Sequence, residues 1–111
     1  MKLSEHLIRD LVLFAVMTFL TLVFWSNNLL LTVMLLTLSA IGMLYYTKTE
    51  RLFFILVGGF GVLLEMLGGY IGIWRYASPN LFTVPFWIFF CWGITFMFLH
   101  SIYGLIEENL P

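Results

Sequence analysis

Four long apolar segments, separated by short polar breaks, constrain the fold of this chain more than any other feature. They run from about Leu7 to Trp25, Leu29 to Tyr46, Leu52 to Trp74 and Val84 to Ile106. Each has roughly 18 to 23 residues, which at 1.5 Å per residue matches a hydrocarbon layer about 30 Å thick. With 62% hydrophobic and 10% charged residues, the chain has too many apolar side chains for a soluble core of its size. The sequence therefore predicts an all-α integral membrane four-helix bundle, a single domain over residues 1–111.

The breaks between the segments carry turn and cap signals. Ser26-Asn27-Asn28 favours a turn and predicts a tight helical hairpin. A polar stretch, residues 47–51, precedes the third segment, and Ala77-Ser78-Pro79-Asn80 precedes the fourth. Pro85 is predicted in the first turn of the fourth helix, with Thr83 as its cap. We reject a cleaved signal peptide, because no small-residue cleavage site follows the first apolar segment.

The basic residues predict the orientation of the bundle. In a four-span topology the N-terminus and the second loop share one side and carry Lys2, Arg9, Lys48 and Arg51, whereas the other side carries Arg75. The positive-inside rule then places both termini in the cytoplasm. Arg9 and Asp10, which shorten the uncharged part of the first segment, are expected at the interface or extending towards it. Aromatic residues at the expected interfaces agree: Trp25, Trp74 and Tyr76 outside, and Tyr45, Tyr46 and Tyr103 inside.

Charge and motif content exclude several classes of function. The net charge of −1 provides no basic patch for nucleic acid. No HExxH, CxxC, P-loop or GxSxG motif occurs, and one membrane carboxylate with one distant histidine does not make a three-ligand metal site. The single cysteine, Cys91, is interpreted as a small apolar filler. We expect no metal and no cofactor, and the sequence favours a protein that is not an enzyme.

Glu65 is the residue most indicative of function. It lies near the middle of the third apolar segment, where an ionisable side chain is costly unless it is paired or protonated. At 100° per residue it shares one face of the helix with five glycines, Gly58, Gly61, Gly68, Gly69 and Gly72. Such a strip, including a GxxxG pattern, allows close packing of another helix, or it forms a groove for a ligand. Packing alone does not explain the glutamate.

The fourth segment repeats this spacing with Gly93, Met97, His100 and Gly104. We therefore expect these two helices to be antiparallel partners, with Glu65 beside Trp92 and Gly93, and His100 beside Val57 and Gly58. His100 then lies roughly 12 Å from Glu65 along the membrane normal. Either Thr95 or Thr37 bridges the two in a proton path, or His100 is an interfacial histidine with no such role. His6 receives no assigned role.

Three states of Glu65 remain open from the sequence. It is a protonated structural residue, a proton carrier, or the binding partner of a cationic ligand beside aromatic faces. Arg75 lies about ten residues, or 15 Å, further out and is excluded as its partner. The candidate proton, cation or ligand site contains Glu65, Trp92, Tyr70, Trp87 and His100, with Phe89 and Phe90 at neighbouring depths.

The second half of the chain also carries a family resemblance. The run from Glu65 to Tyr76, with Pro79, Pro85-Phe86-Trp87 and Trp92-Gly93, resembles a pattern of small bacterial and archaeal polytopic membrane families. More distantly it is similar to membrane-embedded carotenoid-biosynthesis proteins, which implies that Glu65 corresponds to their acidic position. The size of the chain and its membrane glutamate also resemble the small multidrug-resistance transporters, whose glutamate lies on the first helix.

Three hypotheses for function follow, in this order. The first is an accessory or scaffold subunit that packs its glycine face against another membrane protein. The second is a homo-oligomeric small-solute or proton-coupled transporter centred on Glu65, and the third is a lipid- or isoprenoid-modifying enzyme. The predicted partners are the lipid bilayer, further copies or other membrane subunits, and a small hydrophobic or cationic ligand. A polar cavity within one chain favours ligand binding, whereas burial of the glycine strip against a different polypeptide favours the subunit.

Overall fold

The described part of the chain is entirely helical apart from its connections. A computed structural model describes residues 2–76 and 79–110, so half of the predicted third break, Ala77 and Ser78, lies outside the described residues. The helices are α1 (Leu3–Phe24), α2 (Asn28–Tyr45), α3 (Lys48–Tyr70) and α4 (Ile88–Asn109). All four are long and apolar enough to cross a membrane. The predicted all-α four-span fold is confirmed.

Side-chain caps begin α2 and α3 at the two short connections. The Asn27 side chain accepts a hydrogen bond from the backbone N–H of Leu30 at 3.1 Å, which starts α2 within the predicted turn. Thr47 and Glu50 form a reciprocal capping box at the start of α3, with distances of 2.9 and 3.1 Å. Because of this cap, the polar residues 48–51 form the first turn of α3 instead of a loop.

The outer ends of α3 and α4 differ from the prediction. α3 ends at Tyr70, before Trp74, and α4 begins at Ile88, after Pro85. Backbone N–H groups of residues 88–90 bond three residues back, so Pro85 opens a tight turn that precedes the helix. The predicted cap, Thr83, instead donates its hydroxyl to the carbonyl of Met66 at 3.0 Å. The connection after α3 is therefore longer than expected and packs back on α3.

α4 is the central helix of the bundle. It packs against each of the other three helices, α1 also packs against α2, and the principal helical neighbour of α3 is α4. The core contains fully buried side chains from α2, α3 and α4: Leu31, Leu35, Phe54, Ile94 and Met97. The outer surface is apolar as well, with exposed large side chains on every helix, including Leu22, Leu44, Leu63 and Leu99. An apolar exterior around four long helices is the arrangement of a multi-pass integral membrane protein.

The beginning of α1 and the end of α4 lie at the same end of the bundle. The hydroxyl of Ser101 on α4 donates a hydrogen bond to the Asp10 carboxylate on α1. A Cβ placed on Gly104 would lie 3.6 Å from the side chain of Leu3. Both ends of the described chain therefore face the same side of the membrane, and their cytoplasmic location stays a prediction.

We expect thiol labelling of intact cells to distinguish the two ends. In a Cys91→Ala background, cysteines at the exposed positions Ser26 and Phe82 should react with an impermeant maleimide added outside. Cysteines at the exposed positions Lys48 and Glu108 should react only after the cells are lysed. Labelling of the second pair in intact cells would reverse the predicted orientation.

Candidate functional site

Glu65 lies near one end of α3, and not in its middle. The helix ends five residues later at Tyr70, which corresponds to about 7.5 Å at 1.5 Å per residue. The apolar pattern continued to Trp74 and so suggested a deeper position. The Glu65 side chain is half-buried.

A glycine explains why α3 ends where it does. Gly72 has a φ of +84°, the left-handed conformation that glycine adopts without a steric penalty. The N–H of Ile73 donates to the carbonyl of Gly68 at 2.9 Å, and the N–H of Gly72 donates to that of Gly69 at 3.3 Å. These two bonds form a Schellman motif, which terminates the helix. Gly72 is thus part of the helix cap, and the predicted GxxxG pair of Gly68 and Gly72 does not lie on one helical face.

The chain after Gly72 folds back and brings two aromatic residues onto α3. The Trp74 Nε1–H donates to the backbone carbonyl of Glu65 at 3.2 Å, and its indole covers Gly68, where a Cβ would overlap the ring. Tyr76 reaches the carboxylate of the same glutamate. The sequence had placed Trp74 and Tyr76 as markers of the outer interface. They also form one wall of the site.

Both oxygens of the Glu65 carboxylate accept hydrogen bonds. Oε1 accepts from Trp92 Nε1–H on α4 at 3.1 Å, and Oε2 accepts from the Tyr76 hydroxyl at 2.7 Å. The contact with Trp92 agrees with the antiparallel pairing expected for α3 and α4. Burial, together with the hydrogen bond to Glu65, raises the pKa of Tyr76 well above its ordinary value. Tyr76 therefore keeps its proton and acts as a donor to the carboxylate.

Glu65 forms part of the wall of three neighbouring cavities. The first has a volume of about 220 Å³ and is lined by Glu65 and five α4 residues: Ile88, Cys91, Trp92, Thr95 and Phe96. The second, about 290 Å³, is apolar and lies along the outer turns of α3 beside Trp74 and Trp92. The third, also about 290 Å³, is lined by Glu65, Trp74, Arg75 and Tyr76. Glu65 thus borders space on several sides beside aromatic rings, and no polar atom is exposed in the second cavity.

The glycine strip of α3 is covered by side chains of the same chain. A Cβ on Gly61 would overlap the Trp92 indole, as one on Gly68 would overlap Trp74. On Gly58 it would lie 2.9 Å from the ring of Phe89, and on Gly69 it would lie 2.7 Å from the hydroxyl of Thr83. The small residues therefore make room for indole and phenyl rings within the bundle. Packing of another polypeptide on this strip stays a prediction without support from these contacts.

The glycines of α4 differ from each other in their surroundings. Gly93 receives the ring of Phe54, which would lie 2.6 Å from an added Cβ. Gly104 has ordinary van der Waals distance to Leu3. Gly93 thus explains the close contact between α3 and α4, whereas Gly104 lies at the far end of the bundle, beside α1.

Two further residues of the predicted site, Trp87 and Tyr70, do not bond to the Glu65 carboxylate. Trp87 donates its Nε1–H to Asn28 Oδ1 at 3.1 Å, and its ring meets that of Tyr76 edge-on at 6.4 Å, so it supports the wall of the site. Tyr70 is exposed and stacks on Phe82. It does not face the Glu65 cavities.

His100 and the two threonines of the predicted proton path lie in different surroundings. His100 is exposed and packs on Phe53 at 5.4 Å, one turn of α3 away from the expected Val57 and Gly58. Thr95 does line a cavity with Glu65, but Thr37 is exposed and bonds the carbonyl of Val33. Thr95 thus shares a cavity with Glu65, and the proton path to His100 stays a prediction.

Arg75 is closer to Glu65 than the sequence suggested. The prediction assumed that α3 continues through residue 74, whereas the chain reverses at Gly72. Arg75 and Glu65 consequently line the same cavity. Among the described residues, neither side chain forms an ion pair within 4 Å.

A second polar cluster, at the opposite end of the bundle, was missed by the sequence analysis. Arg9 donates to both oxygens of Asp10 at 2.8 and 2.9 Å, and to Glu50 Oε2 at 2.9 Å. The Arg9 guanidinium also lies 4.7 Å above the ring of Tyr46. Asp10 is fully buried and accepts a further bond from Ser101. The cluster connects α1, α3 and α4.

His6, which received no assigned role, lies beside this cluster. Its Nδ1 is 3.4 Å from Glu50 Oε2. The sequence had placed Arg9 and Asp10 at the interface because both interrupt an apolar helix. The hydrogen bonds instead satisfy them inside the bundle, which is the usual condition for buried charges in a membrane protein. This cluster is fully bonded and so offers less to a ligand than Glu65 does.

The chemistry available at Glu65 is binding by charge and aromatic contact. In the described residues, no group of three or more His, Cys, Asp or Glu side chains is arranged to hold a metal ion. Cys91, which lines the first cavity, lies with its Sγ 3.8 Å from the Thr21 hydroxyl. Comparison of the chain with protein-family models, curated proteins and solved structures returned no match. The resemblances suggested by the sequence therefore stay predictions.

Proposed function

We propose that this multi-pass membrane protein binds a membrane-partitioned organic cation at Glu65. The observation that carries the proposal is a glutamate that lines three neighbouring cavities and whose carboxylate accepts hydrogen bonds from two neutral donors, Trp92 and Tyr76. Neutral donors position the carboxylate but leave its negative charge uncompensated. A cation bound in the adjoining cavities supplies the compensating positive charge.

The aromatic walls support a cationic ligand over a neutral one. Trp92 lines two of the three cavities and Trp74 also lines two. Aromatic faces attract cations, more strongly where water is excluded. Volumes between about 220 and 290 Å³ are each at the small end of ligand pockets, so a ligand of ordinary size extends across more than one of them.

The accessory-subunit hypothesis, ranked first from the sequence, depended on a glycine strip open to another polypeptide. Side chains of this chain occupy that strip at Gly58, Gly61, Gly68 and Gly69. We therefore place the transporter hypothesis first. Glu65 lies near one interface, and four helices enclose little volume. Movement of a ligand across the bilayer therefore requires a second copy of the chain, as in the homo-oligomer predicted from the sequence.

Replacement of Glu65 by Gln tests the proposal. The amide keeps an oxygen that accepts from Trp92 but removes the negative charge. We expect calorimetric titration of the detergent-solubilised protein with tetraphenylphosphonium to show affinity weakened at least about tenfold. Thermal stability should change little, since the shape of the side chain is retained.

Glu108→Gln is the matched control, because it removes the same charge from an exposed position at the end of α4. It should leave the titration unchanged. Equal affinity of the Glu65→Gln variant and the unmodified protein would reject Glu65 as the cation site.

A further inference from the structure

We propose that the ligand is a zwitterionic aminophospholipid, whose ammonium group binds Glu65 and whose phosphate binds Arg75. This inference rests on the proposed cation site and specifies its ligand class. Glu65 and Arg75 line one cavity of about 290 Å³ together with Trp74 and Tyr76. A carboxylate and a guanidinium that share a cavity, with no ion pair to each other among the described residues, match a ligand that carries both charges.

The charged groups of Glu65 and Arg75 line one cavity because the chain reverses its direction after α3. Ten residues separate Glu65 from Arg75, and a continuous helix would place them about 15 Å apart along the axis. The cap at Gly72 ends the helix. Trp74 and Tyr76 then fold back onto α3, and Arg75, which lies between them in the sequence, reaches the cavity that Glu65 lines. Guanidinium groups bind phosphate with paired hydrogen bonds, which a lysine does not reproduce.

The depth of the site corresponds to the headgroup region. Glu65 lies about 7.5 Å from the end of α3. The polar layers of a bilayer add about 10 to 15 Å in total to a hydrocarbon core of about 30 Å, so each is roughly 5 to 8 Å thick. An ammonium group of a lipid headgroup reaches this level without leaving its leaflet.

An apolar surface continues from the charged cavity towards the membrane. The neighbouring cavity of about 290 Å³ has purely apolar exposed lining and includes Leu64, Leu67 and Ile71, each at least 41% exposed. Acyl chains pack on such a surface while the headgroup stays at the charged end. On the other side of Arg75, a larger cavity of about 660 Å³ is lined by polar and apolar groups, including Thr83. Arg75 therefore has open space around it, whereas the phosphate binds in the cavity that Arg75 shares with Glu65.

Charge complementarity distinguishes this lipid class from others. A phospholipid with an uncharged headgroup matches Arg75 but leaves Glu65 without a cation. A simple lipophilic cation matches Glu65 but leaves Arg75 without an anion. A zwitterion of phosphate and ammonium satisfies both, and its lipid tails satisfy the apolar surface.

Native mass spectrometry in mild detergent tests the assignment. Phosphatidylethanolamine and phosphatidylglycerol with identical acyl chains are added in equal amounts, and the bound fraction of each is measured. We expect the unmodified protein to retain at least about fivefold more phosphatidylethanolamine. Glu65→Gln should abolish this preference, whereas Arg75→Gln should lower the retention of both lipids, and Arg75→Lys should restore part of that retention.

Calorimetric titration of the same variants with tetraphenylphosphonium separates the two proposals. This probe has no phosphate, so Arg75→Gln should bind it as well as the unmodified protein does, whereas Glu65→Gln should lose it. Equal retention of the two lipids by the unmodified protein, or undiminished retention of both lipids by Arg75→Gln, overturns the lipid assignment and leaves the cation site intact. An excess of soluble phosphoethanolamine should not displace the lipid. Displacement at stoichiometric concentration would instead identify a free zwitterion as the ligand and overturn the lipid assignment.

Discussion

Arg9→Met should lower the free energy of unfolding by about 3 to 5 kcal/mol, the usual cost of removing one partner of a buried ion pair. The substitution keeps the length of the side chain but leaves the fully buried Asp10 and the nearly buried Glu50 without their cation. It also removes the contact of the guanidinium with Tyr46. Thermal or denaturant unfolding of the detergent-solubilised protein measures the loss.

Lys48→Met is the control for this prediction, since it removes one positive charge from an exposed position at the start of α3. It should change stability by less than about 1 kcal/mol, as surface charges usually do. Adding Asp10→Asn and Glu50→Gln to Arg9→Met should recover part of the loss, because the uncompensated charges are then also removed. An Arg9→Met protein as stable as the control would mean that the cluster contributes nothing to folding.

Gly61→Ala should destabilise the bundle and weaken the Glu65 site together. Its Cβ would overlap the Trp92 indole, so the ring must move and its hydrogen bond to Glu65 is lost. Overpacking of this kind costs about 1 to 3 kcal/mol. We expect a lower unfolding temperature and weaker tetraphenylphosphonium binding by calorimetric titration.

Gly59→Ala provides the matched control two residues away on the same helix. Nothing lies within 4 Å of a Cβ at Gly59. The same change there should leave binding unaltered and stabilise the helix by up to about 1 kcal/mol, because alanine has the higher helix propensity. Equal effects at Gly59 and Gly61 would show that the loss comes from the helix backbone and not from displacement of Trp92.

The number and type of the helices follow from the sequence, because runs of apolar residues that match a bilayer leave few alternatives. The pairing of α3 with α4 and the contact of Glu65 with Trp92 were also predictable. The register was not, because Gly93 lies against Phe54 and His100 against Phe53. The ends of α3 were not predictable from the sequence. Hydrophobicity does not distinguish an apolar helix from an apolar connection, so Ile73 and Trp74 looked helical. Gly72 was the available signal, as glycine commonly follows the last turn of a helix.

The polar cluster was unpredictable for a different reason. Its members lie far apart in sequence: 41 residues separate Arg9 from Glu50, and 91 separate Asp10 from Ser101. No periodicity connects residues across three helices, so Arg9 and Asp10 could only be assigned to an interface. Tyr76 was missed as a partner of Glu65 because its contact depends on the turn at Gly72.

The central position of α4 has a consequence for biogenesis, since α4 is the last of the four helices along the chain. Arg9 and Asp10 are neighbours on α1, so their charges neutralise each other while that helix enters the membrane alone. Glu50 then arrives with α3, but α3 has few helical contacts until α4 is made. Trp92 and Ser101 reach their partners only when α4 is inserted. A ribosome stalled before α4 would therefore leave α1 and α2 paired but α3 unassembled, with Glu65 accessible to lipid.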